Sequence, residues 1–115
     1  MNYIVVKATA KFLKDTKKLL TAEELEELYD YLSENPNAGP IIQATGGVRK
    51  LRWSTKSSSR GKSGGLRVLY HYSNNILVIL LGAFSKSEAE NITDAEKNTL
   101  RKILPTLIEQ LMEDL

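Results

Sequence analysis

Residues 66–84 read LRVLYHYSNNILVILLGAF. Leu66 to Tyr72 and Ile76 to Phe84 are rich in β-branched, aliphatic and aromatic residues, and Ser73-Asn74-Asn75 separates them. Asparagine tolerates positive φ, so the two runs predict a β-hairpin that turns at those three residues. From Ile76 to Leu81 every position is apolar. A strand without alternation is covered on both faces, which places this one at the centre of a sheet.

Upstream, Val48 to Trp53 predicts another strand. Val48, Lys50 and Arg52 point one way along it and Arg49, Leu51 and Trp53 the other, because side chains alternate across a strand. Ser54 to Gly65 is a polar connection of low complexity. Within it, Gly61-Lys62-Ser63 has the ending of a phosphate-binding loop. That motif also needs a glycine where Lys56 stands, a strand before it and a helix after it. Here a strand follows, so the nucleotide-loop reading is rejected.

The N-terminal third switches to helical spacing. Residues 3–6 (YIVV) predict a short strand. Phe12, Leu13, Thr16, Leu19 and Leu20 share one side of a helix expected over residues 10–20. Thr21 and Glu24 form a capping box for a second helix, with Leu25, Leu28, Tyr29 and Leu32 on its inner face. That helix ends at Asn35-Pro36. Near the C-terminus, Ser85–Glu88 and Thr93–Glu96 are further capping boxes. Leu100, Ile103, Leu104, Leu107, Ile108 and Leu111 form an amphipathic stripe, which serves either as core or as a docking face for a partner. Pro105 falls inside it, so a kink or a break is expected there. The order β-α-α-β-β-β-α predicts one α+β domain over residues 1–115. A small, mostly antiparallel sheet carries the N-terminal helix pair and the C-terminal helix on one face.

Composition narrows the chemistry. The chain has 115 residues, no cysteine and one histidine. Disulfides and thiolate sites are excluded, and a structural zinc site is not expected. No run approaches the roughly 20 apolar residues that span a bilayer, and no signal peptide is visible, so a cytoplasmic protein without membrane contact is expected. His71 has no metal-binding partner motif, and no serine sits in a nucleophile elbow. What stands out is charge. Gly46 to Tyr72 carries Arg49, Lys50, Arg52, Lys56, Arg60, Lys62 and Arg67 and no acid, whereas Glu23 to Glu34 carries six acids and no base. The acidic run reads as a solvated face. The basic run attracts polyanions.

Three segments, GGVRKLRW (46–53), GKSGGLRVLYHY (61–72) and LLGAFSKSEAENIT (80–93) with a glutamate soon after, resemble the RelE/HigB-type toxins of bacterial type II toxin–antitoxin systems. The resemblance runs from about residue 3 to residue 104 in element order, and its specific part is 46–96. It implies a ribosome-dependent mRNA endoribonuclease, held inactive by a cognate antitoxin, that needs no metal or other cofactor. Cleavage by the RNA's own 2′-hydroxyl needs a base, an acid and cations around the phosphorane. Arginine suits bidentate phosphate clamping, whereas a lysine crowded by cations gives up its proton more readily. Arg67 is the candidate clamp. Lys50, Arg52 and Lys62 are substrate-positioning or base candidates, and Lys86, which matches a lysine of the family, is a second acid/base candidate. His71 is a further acid/base candidate that shares the parity of Arg67, although a strand histidine is more often structural. Arg49, Lys56 and Arg60 are RNA-binding candidates, although one of Arg49 and Lys50 must face away from the site. Trp53 either stacks on a base or belongs to the core. Two other readings stay open: a ParE-like poison of DNA gyrase, and a non-catalytic RNA-binding or attenuated toxin.

Overall fold

The hairpin expected at Asn74-Asn75 forms, with φ values of 56° and 60° at those residues and a bond from the Ile76 N–H to the Ser73 carbonyl of 3.2 Å. The computed structural model describes residues 3–54, 65–85 and 91–115. Their elements are β1 (Val5–Ala8), α1 (Ala10–Thr16), α2 (Ala22–Glu34), β2 (Arg49–Trp53), β3 (Leu66–Ser73), β4 (Leu77–Ser85) and α3 (Asp94–Glu113). The expected order β-α-α-β-β-β-α is the observed one.

The four strands lie in the order β1-β4-β3-β2. The apolar strand β4 is therefore central, and Leu77, Val78, Ile79 and Leu80 are fully buried. β2 and β3 pair antiparallel, as do β3 and β4, but β1 pairs parallel with β4, from Val5 opposite Leu77 to Ala8 opposite Leu80. The sheet is thus mixed rather than mostly antiparallel. This pairing also moves the first strand from the expected 3–6 to 5–8, since β4 sets where β1 finds partners. One β-bulge interrupts the β3–β4 ladder: Leu69 lies opposite Gly82 and Tyr70 opposite Leu80, which leaves Leu81 as the extra residue.

The helices do not share one face. α1 and α2 cover a core of Phe12, Leu28, Leu32, Leu51, Leu66, Val68, Tyr70, Val78 and Leu80. α3 covers a second core on the other face, made of Val48, Leu69, Leu77, Ile79, Leu81, Ile92 and Leu104. A strand that is apolar on both sides needs a layer on each, and α3 supplies the second one.

The helix ends obey local chemistry. α1 is shorter than expected. The Thr16 hydroxyl donates back to the Phe12 carbonyl at 2.9 Å, and the Leu19 and Leu20 N–H groups both turn onto the Thr16 carbonyl at 3.0 Å. Both bonds of the capping box are present at Thr21/Glu24 and again at Thr93/Glu96. α2 stops at Asn35, before Pro36. α3 does not break at Pro105. The proline is exposed, while Leu104, Leu107, Ile108 and Leu111 pack on the second core and hold the helix across the missing bond. The stripe on α3 therefore faces the protein's own interior, except for Ile103, which is 43% exposed. The third capping box, Ser85–Glu88, extends outside the described residues.

Candidate active site

Strand β2 alternates as its sequence requires. Leu51 and Trp53 enter the first core, and Val48 enters the second. Lys50 and Arg52 therefore emerge on the face covered by α3. Arg67 on β3 stands directly opposite Arg52 in the ladder. Like charges on opposed positions destabilise a sheet by roughly 0.2–1 kcal/mol, so a fold keeps such a pair at a cost. Arg67 is only 5% exposed, whereas Arg52 is exposed.

Lys50, Arg52 and Arg67 line one cavity of about 440 Å³, together with Asn91 and the segment Ala38–Pro40. The Lys50 ammonium donates to the Asn91 side-chain oxygen. Asn91 lies just ahead of Ile92, which is buried in the second core, and Thr93, the N-cap of α3. The cavity is thus assembled from β2, β3, the loop after α2 and the entry to α3.

The loop wall is tightly held. The Pro40 carbonyl accepts the Lys50 N–H at 3.0 Å, and the Ile42 N–H reaches the Val48 carbonyl at 2.8 Å. A Cβ at Gly39 would lie 2.8 Å from the Lys50 carbonyl oxygen, so only glycine lets the loop approach β2 so closely. The Tyr70 hydroxyl donates to the Pro36 carbonyl at 2.8 Å and accepts the Gly39 N–H at 2.9 Å. Burial pushes the Tyr70 phenol above its ordinary value, against the lowering effects of the Gly39 N–H and the Arg49 charge. It therefore stays protonated and able to donate at neutral pH.

The other sequence candidates fall elsewhere. Arg49 lies on the opposite side of β2, and its guanidinium donates to the Gly39 carbonyl at 2.7 Å and the Asn37 carbonyl at 3.3 Å. It ties down the loop from behind and does not line the cavity. Trp53 packs at the edge of the first core with its ring 5.2 Å from that of Tyr31. Its Nε1 is buried and has no hydrogen-bond partner among the described residues. His71 has the parity of Arg67 but sits four residues further along β3, about 13 Å away at strand rise. Its Nδ1–H donates to the Gly47 carbonyl at 2.8 Å, and the half-buried ring props the turn before β2. Lys56, Arg60, Lys62 and Lys86 lie outside the described residues.

Sequence reasoning did not single out Asn91. An uncharged residue between two capping-box patterns gives no local signal, and its place opposite Lys50 comes from the docking of α3. Among the described residues, no group of three His, Asp or Glu side chains is arranged to hold a metal ion. Nor is any helix among them long and apolar enough to cross a membrane.

A mixed four-stranded sheet flanked by helices, with Lys50, Arg52 and Arg67 lining one cavity, defines a small α+β protein. A family model described as the RelE toxin of the RelE/RelB toxin–antitoxin system matches residues 6–115. The chain belongs to that family, and it is the toxin of a toxin–antitoxin module whose partner is a cognate antitoxin.

Proposed function

We propose that this toxin is an endoribonuclease that cuts mRNA on the ribosome through attack by the RNA's own 2′-hydroxyl. The observation that carries this reading is the opposed pair Arg52 and Arg67, held with Lys50 around one cavity. Two guanidinium groups on adjacent strands offer parallel donors to the non-bridging oxygens of a single phosphate. Their charge complements the extra negative charge of the phosphorane.

In this reading the neutral amine of Lys50 takes the proton of the 2′-hydroxyl. The 2′-oxygen attacks phosphorus, the bond to the 5′-oxygen breaks, and that oxygen takes a proton from a general acid. The products are a 2′,3′-cyclic phosphate and a 5′-hydroxyl. Lys86 is the candidate for the acid, on the strength of the motif that contains it, and Lys62 a candidate for positioning the substrate. A positioned acid or base contributes about 10²–10⁴ in rate.

Primer extension on a translated message after induced expression tests the proposal. The expected result is growth arrest with cuts inside the reading frame. Intact message with arrested replication would instead indicate a gyrase poison. Intact message with normal growth would indicate RNA binding without cleavage.

A further inference from the structure

Asn91 contributes an uncharged acceptor to a cavity whose other polar side chains, among the described residues, are cationic. Its Oδ1 accepts from the Lys50 Nζ across 41 residues of sequence. The next two residues fix the backbone there. Ile92 is buried at 8% exposure, and the Thr93 N–H donates to Glu96 Oε1 at 2.7 Å while the Glu96 N–H donates to Thr93 Oγ1 at 3.1 Å. The carboxamide is therefore held by the start of α3.

A lysine that acts as a base needs its lone pair aimed at the proton it takes. A carboxamide oxygen that engages one N–H restricts rotation of the amine without adding charge. A carboxylate at the same place would favour the protonated form, because an opposite charge nearby stabilises it. Among the described residues, the charged groups bordering Lys50 are Arg52 on β2 and Arg67 on β3, and the 38–40 wall brings none. The two carboxylates nearest in sequence on α3 are engaged locally, Glu96 in the capping box and Asp94 with Lys97 at 3.9 Å.

We infer that Asn91 is a positioning residue for Lys50, orienting its amine for proton transfer without itself adding a negative charge. The inference rests on the ribonuclease reading with Lys50 as its base.

The test is the pH–rate profile of message cleavage on ribosomes by purified wild-type, Asn91→Asp and Asn91→Ala proteins. Asn91→Asp is expected to move the acid limb of the profile upward by about one to three pH units and to recover most of the rate above it. Asn91→Ala is expected to lower kcat about 10-fold or more, with KM and thermal unfolding close to wild type. Asn91 is exposed, so folding of both variants is not at stake. A wild-type protein that cuts message, with an Asn91→Asp profile that coincides with it, overturns the positioning role alone. A wild-type protein that leaves message whole overturns the ribonuclease reading itself. A Lys50→Arg variant with the wild-type acid limb overturns the assignment of Lys50 as base.

Discussion

Arg52 and Arg67 share one rung of the β2–β3 ladder, and their functions and their effects on stability should separate. Removing the exposed member relieves like-charge repulsion and leaves the core untouched. Arg52→Ala should therefore unfold in urea at a concentration no lower than wild type. On the proposed ribonuclease reading, message cleavage should fall by about 10²–10³, the usual cost of removing one donor to a developing anion. A variant that loses stability and activity in parallel would make Arg52 a structural residue. The cations themselves were legible from sequence, because an acid-free basic run is visible without coordinates. The partner of Lys50 was not, since an asparagine acquires meaning here only through a contact between β2 and the start of α3. Arg49 shows the same gap: its acceptors are backbone carbonyls, which leave no mark in a sequence.

At the scale of elements, the cavity depends on a loop clamped to a strand. Tyr70, fully buried on β3, holds both ends of the 36–39 turn, and Arg49 adds a second tie. Tyr70→Phe removes the hydroxyl and leaves the Gly39 N–H without that acceptor, which should cost about 1–3 kcal/mol at neutral pH. The phenol also gives a pH signature. Burial raises its pKa above the ordinary 10.0, so the folded protein keeps a proton that the unfolded chain has already released. Stability is then full below about pH 10 and declines as pH climbs beyond it. Tyr29 is raised for the same reason and adds to the decline. Chemical denaturation from pH 8 to 11 should show a shallower alkaline loss in Tyr70→Phe than in wild type. Equal slopes would mean that Tyr70 plays no part in it. Strand facing in β2 was readable because a regular strand obeys a period of two. The bulge at Leu81 was not, since a run that is apolar at every position hides its own phase. The side of the sheet taken by α3 was hidden too, because an amphipathic stripe states that it packs and not where.

Over the whole molecule, the acids of α2 and the cations of the cavity lie on opposite faces of the sheet. Glu23, Glu26, Glu27, Asp30 and Glu34 are exposed on α2, on the face of the sheet opposite the cavity. A polyanion is drawn to Lys50, Arg52 and Arg67 and repelled by the acids of α2, but α2 shares its layer with exposed Lys11 and Lys14 of α1 and Lys17 and Lys18 just after it. Among the described residues, the two guanidinium groups of Arg52 and Arg67 are expected to contribute about −1.4 to the slope of log affinity against log salt for single-stranded RNA. Arg52→Ala should reduce its magnitude by about 0.7. Fluorescence anisotropy across a salt series measures both values, and a slope unchanged by Arg52→Ala would place the RNA elsewhere. The parallel pairing of β1 with β4 also bears on how the chain is made. Residues 5–8 leave the ribosome early, yet the strand they pair with is 77–80, so the sheet closes late in synthesis. A nascent chain halted before residue 77 has neither a seat for its first strand nor the floor on which α3 brings Asn91 to Lys50. Truncated translation products are therefore expected to be unarmed.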